Sequence, residues 1–153
     1  MSAPPVEQPA AAGAGTVPPR DRLVTRSLQR LADLAGDPAA GVYADLFRRH
    51  PDTQRLFVMD GDGAVRGNML ANAIEVALDL DGAEHYGAAM LRAEAVNHAG
   101  FGVDRAAFPA LFDSLRGVTC DALGPEWSPE IAAAWDDLLA RIARLLDQES
   151  PSA

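Results

Sequence analysis

Three histidines and a single cysteine are the side chains of this sequence best suited to hold a metal or act as a nucleophile, and they lie far apart along it. His98 is the best placed. It closes residues 91–103, read as a short amphipathic helix running into the corner Ala99-Gly100-Phe101-Gly102-Val103, where glycines let the backbone turn sharply. A neutral imidazole is a common metal ligand, and a helix end followed by a fixed turn aims it. Taken alone, a histidine beside apolar neighbours is ordinarily a packed one. His50 precedes Pro51 in a turn and His85 lies in a polar stretch, both as exposed structural residues. Cys120 sits in an apolar helical run as a buried thiol, which rules out an internal disulfide and any multi-cysteine metal site. The carboxylates are scattered along helical faces without the spacing of a metal-binding loop.

The elements that must position these groups are helical. Val24, Leu28, Leu31 and Ala35 mark one face of a first helix, after which Asp37-Pro38 offers a cap and a proline start for a second helix reaching His50. Pro51 restarts the chain into a short segment ending at Leu56-Phe57, and residues 59–63, with two Asp-Gly steps, read as a loop. Leu70, Ala73, Ile74, Ala77 and Leu78 follow the helix period, and a ragged segment over residues 79–82 separates that helix from the one carrying His98. Phe108, Leu111, Phe112, Leu115, Val118 and Ala122 form a stripe after an Asp104 cap. Ile131, Trp135, Leu138, Ile142 and Leu146 form another after Ser128-Pro129, and the short Gly-Pro link suggests an antiparallel pair. No alternating strand pattern, phosphate-cradling loop, nucleophile elbow or repeat is present, so the fold class is all-α.

At 153 residues the chain fits one domain with one substantial core. Residues 1–20 are rich in Ala, Pro and Gly and are expected to form a disordered tail; residues 21–148 form the domain, and residues 149–153 a disordered end. The tail lacks the basic start and apolar run of a secretory signal, and no segment approaches the roughly 18 apolar residues of a membrane span, which points to the cytoplasm. A formal charge of −9 makes a phosphate backbone a poor partner, so neither nucleic acid nor membrane is expected.

Leu46-Phe47, His50-Pro51, Leu56-Phe57, Leu70 and Ile74, His98 with its Gly-Phe-Gly-Val corner and Trp135 follow one another in an order that resembles a globin. The resemblance covers roughly residues 22 to 147 and is nearest to the haem domain of bacterial flavohaemoglobins and their single-domain relatives. It implies a three-over-three helical sandwich holding haem b, with His98 as the ligand to iron. It further implies that Phe57 wedges against the haem, that Tyr43 donates a hydrogen bond to a bound gas, and that Leu70 caps the ligand pocket. Arg66 stands one turn before Leu70, and Val103 and Phe108 would lie against the haem edge. Trp135 would only pack between the last helices.

Three places depart from that family. Arg66 stands where Gln or His is usual, and its guanidinium can donate to a ligand, reach a haem propionate or extend to solvent; with a shorter preceding loop, Val65 or Gly67 is an alternative occupant of the distal place. Phe108 and Ser150 replace the Tyr and Glu that support the proximal histidine, which argues against peroxidase-like chemistry. Glu94, one turn before His98, is either a partner for the imidazole proton or a solvated carboxylate.

The functional expectation is reversible binding of a diatomic gas, oxygen first, with nitric oxide or carbon monoxide as alternatives. Nitric oxide dioxygenase activity would be an extension requiring an external reductase, since no flavin or nicotinamide domain follows. The alternatives are a haem-based sensor acting through a separate partner and a globin fold that has lost haem. Either a monomer or a homodimer is compatible with the sequence.

Overall fold

Among the described residues, six α-helices and two short 3₁₀ helices make up the secondary structure and no strand occurs. The computed structural model describes residues 22–104 and 107–148; the expected tail over residues 1–20 and the end at 149–153 lie outside the described residues. Helix α1 spans Leu23–Ala35, α2 Ala39–Arg49, α3 Ala64–Leu80, α4 Gly87–Gly100, α5 Ala110–Leu123 and α6 Pro129–Asp147. The 3₁₀ helices are Pro51–Phe57 and Gly124–Glu126.

Helices α1, α3 and α4 form one layer and α2, α5 and α6 the other. Between layers, α1 meets α5 and α6, α3 meets α2 and α5, and α4 meets α6. This is the three-over-three sandwich. Its interior is one apolar cluster in which Val24, Val42, Ala77, Leu115, Trp135 and Ile142 are fully covered. The antiparallel pairing expected of α5 and α6 is only a minor contact, since α5 packs chiefly on α2 and α1 while α6 packs on α1 and α4. The Gly124–Glu126 turn redirects the chain, and the buried Trp135 indole donates to Ser27 Oγ at 2.9 Å, fastening α6 to α1.

Local chemistry sets the start of α2 and of the 3₁₀ helix that follows it. Asp37 Oδ1 accepts the Ala39 N–H at 3.0 Å ahead of α2, and Pro51 opens the following 3₁₀ helix. Three boundaries differ from the sequence reading. Helix α3 runs through the supposed break to Leu80, with Asp79 and Leu80 both buried. Helix α4 begins at Gly87, four residues earlier than the apolar pattern indicates. Helix α5 begins at Ala110 instead of just after Asp104, and Phe108 stands in the preceding turn, its N–H donating to the Asp104 carbonyl at 3.2 Å. Cys120 is partly exposed, not buried. No helix among the described residues is long and apolar enough to cross a membrane.

Candidate functional site

Helix α4, which carries His98, is fixed at both ends. At its start the Asp79 carboxylate accepts the N–H groups of His85 at 3.0 Å, Tyr86 at 3.2 Å and Gly87 at 2.6 Å. One side chain thus satisfies donors that a helix start leaves orphaned, and its charge suits the positive end of the helix. Burial alone pushes this carboxyl up, but the Gly87, His85 and Tyr86 N–H groups outweigh it and hold it below the usual carboxylate range. The close approach demands glycine, because a Cβ on Gly87 would stand 2.7 Å from Asp79 Oδ2. At the other end Gly102 adopts φ 79° and donates its N–H to Ala99, while the Val103 N–H donates to the His98 carbonyl, both at 3.0 Å. This is a Schellman closure, and it brings Val103 into the same wall as His98.

The His98 ring makes one internal hydrogen bond. Nδ1 lies 2.7 Å from the Glu94 carbonyl, and the Glu94 carboxylate lies 3.7 Å away, beyond hydrogen-bond range. A carbonyl only accepts, so Nδ1 carries the hydrogen and Nε2 retains its lone pair. Phe108 packs edge-on against the ring at a centroid distance of 4.9 Å.

Across the cavity, the Tyr43 ring is buried against Phe47 and Phe57, at 5.9 and 5.5 Å between centroids. Its hydroxyl donates to the backbone carbonyl of Arg66 at 2.9 Å. Burial pushes this phenol above its usual range; the Arg66 guanidinium opposes the rise and the Asp60 carboxylate adds to it. The Arg66 side chain turns back to the preceding loop, donating from Nε to Asp60 Oδ2 at 3.0 Å and from Nη2 to the Asp60 carbonyl at 3.2 Å.

His98, Tyr43, Phe57, Val103 and Phe108 meet in the wall of one cavity of about 560 Å³, well within the roughly 300–1,000 Å³ usual for ligand sites. Arg66 and Leu70 do not line it. Leu70 is in the packed core, and α3 presents Val65, Met69, Asn72, Ala73 and Val76 to the cavity instead. Sequence reasoning kept Val65 as an alternative but missed Met69, one turn further on, and Asn72. The signal was present in the i, i+4, i+7 spacing of these residues, but it competes with a more apolar face through Leu70, Ala77 and Leu80 that the core takes.

Haem fits this site on two counts. Its iron needs one protein donor, and His98 offers a free ring nitrogen in a mostly apolar wall. Among the described residues no three His, Cys, Asp or Glu side chains assemble to hold a bare ion. The wall also carries apolar groups left open to water, with Leu56 at 48 %, Val65 at 53 % and Phe101 at 85 % exposure. Such a rim suits a large apolar occupant that would cover it.

The globin family model matches residues 40–146, most of the chain. The chain belongs to the globin family. No curated protein matches the sequence of this globin. The family match opens inside α2 and closes within the last turn of α6, so it contains every residue of the cavity wall. Globins typically bind haem, and haem-based gas binding is the family's general property.

Proposed function

We propose that this globin holds haem b through His98 Nε2 and binds a diatomic gas, oxygen first, reversibly. Within the family we place it nearest the haem domains of bacterial flavohaemoglobins and their single-domain relatives, on the order of Tyr43, His50-Pro51, Phe57 and His98. The observation that carries the reading is the His98 ring itself, whose Nδ1 is committed to the Glu94 carbonyl and whose other nitrogen is free in an apolar cavity. That internal bond orients the ring and fixes its tautomer before any metal arrives. Ferrous haem supplies the reversible coordination of the gas. The protein's part is to hold the donor nitrogen and to exclude water with Phe57, Val103, Phe108 and Leu111; of the polar groups in the wall, Asn72 carries an amide while the Tyr43 hydroxyl proton is taken by the Arg66 carbonyl. Oxidation of nitric oxide to nitrate by dioxygen is an extension of the same site, with a separate reductase supplying the electron.

The test is a haem titration of the purified protein, followed by absorption spectra of the ferric, reduced and carbon monoxide states. A Soret band saturating at one equivalent and shifting with carbon monoxide supports the reading. Absence of a specific band at that ratio overturns it.

A further inference from the structure

Tyr43 is the phenol expected to donate to a gas, yet it has one proton and that proton is donated to the Arg66 carbonyl. The first turn of α3, which carries this carbonyl, is bonded to Asp60 as well as by its own Gly67 N–H to the Gly63 carbonyl at 2.9 Å. Asp60 Oδ1 accepts the Val65 N–H at 3.0 Å, its Oδ2 accepts both the Arg66 N–H and Arg66 Nε at 3.0 Å, and its own carbonyl accepts Arg66 Nη2 at 3.2 Å. The Asp60 side chain is 4 % exposed, so water competes little for these bonds. The Asp60 N–H in turn donates to the Phe57 carbonyl at 3.0 Å, and the Phe57 ring packs edge-on against Tyr43. Tyr43, Phe57, Asp60 and Arg66 therefore close a circuit in which the first turn of α3 is bonded on one side to Asp60 and on the other to the phenol.

We infer that Asp60 is a positioning residue that governs gas release by keeping the Arg66 carbonyl against the Tyr43 hydroxyl, so that the phenol proton is withheld from a ligand in the cavity. The inference rests on the gas-binding reading above. Loosening the turn frees the phenol to rotate toward the cavity that its ring already lines, and a hydrogen bond gained there slows ligand release.

The experiment is a double-mutant cycle between Asp60→Ala and Tyr43→Phe, read in the unloaded and haem-loaded protein. In the unloaded protein, amide hydrogen exchange at Val65 and Arg66 should rise by about tenfold or more in Asp60→Ala. In the loaded protein, Asp60→Ala should slow oxygen release about threefold to tenfold when Tyr43 is present and leave it unaffected in the Tyr43→Phe background. An equal change in both backgrounds, faster release, or unchanged exchange overturns the assignment. If Asp60→Ala does not fold, Asp60→Asn, which keeps one acceptor oxygen, carries the same cycle with a smaller slowing. Failure of the wild-type protein to take haem is seen independently as a missing Soret band, and amide exchange in the unloaded variant then decides by itself whether Asp60 holds the turn.

Discussion

The two walls of the cavity are built by the same device and end in opposite states. On the His98 side Asp79 accepts three N–H groups at the start of α4; on the Tyr43 side Asp60 accepts two in the first turn of α3. In each wall the aromatic group of interest then hydrogen-bonds a backbone carbonyl, His98 to Glu94 and Tyr43 to Arg66. The consequence differs because imidazole has two polar atoms and phenol has one. Committing Nδ1 leaves Nε2 with its lone pair, whereas committing the phenol hydrogen leaves Tyr43 with lone pairs alone. An internal hydrogen bond thus leaves His98 a nitrogen with a lone pair to give and Tyr43 no proton to give.

The comparison breaks first at His98. His98→Ala should lower haem affinity by about a hundredfold or more and abolish the normal spectrum of the reduced protein, measured by titration. An unchanged spectrum would mean that the free nitrogen is not the metal's donor. The Asp79 anchor comes next. Asp79→Ala strips the acceptor from three N–H groups and should destabilise the fold by about 2 kcal/mol, read as a lower Tm. Gly87→Ala attacks the same contact sterically, forcing a methyl to 2.7 Å from Asp79 Oδ2 and 3.2 Å from the Val76 carbonyl, and should cost about 1–3 kcal/mol. If both variants melt like the wild type, the carboxylate is not what fastens α4.

Acid separates this anchor from the rest of the molecule. Because the folded Asp79 carboxyl is held low, its contribution is complete above the unfolded value of about 3.9 and is lost as pH falls through the folded one. The Tm gap between wild type and Asp79→Ala should therefore be constant from pH 7 to about 5 and narrow below about 4. A gap that stays open in stronger acid would assign it to packing around the side chain and not to the charge.

How far these walls were legible in the sequence follows from the range of the interactions. The helical class and the His98 corner rest on periodicity and on Gly102, both local, and both could be read directly. Tyr43, Phe57, Val103 and Phe108 reached the cavity because the family's order of residues carried them there. The two anchors were not legible. Asp79 meets N–H groups six to eight positions away, and Asp60 meets those five and six positions away, so each resembled an ordinary loop or helix-end acid. The start of α4 was missed for the same reason, since its cap is a side chain from α3 and not a residue of its own first turn. Leu70 was misplaced because α3 is apolar on more than one side, and which stripe faces the cavity is settled only by packing; Arg66, whose destination the sequence left open, turns back to Asp60.

The smallest expected effect concerns Glu94. Its carbonyl, which no side-chain substitution removes, takes the Nδ1 hydrogen, and its carboxylate stands 3.7 Å off with 35 % of its surface in water. Glu94→Gln then deletes only a screened charge near the metal, worth about 0.5 kcal/mol. Loss of a negative charge disfavours the oxidised state, so the midpoint potential of the haem-loaded protein should rise by about 20 mV in a redox titration, that free energy for one electron. The direction tests the sign of the interaction and the size tests its route. A rise beyond about 100 mV would mean that the carboxylate, and not the carbonyl, holds the imidazole hydrogen once metal is bound, giving the ligand an imidazolate character that a backbone carbonyl does not confer.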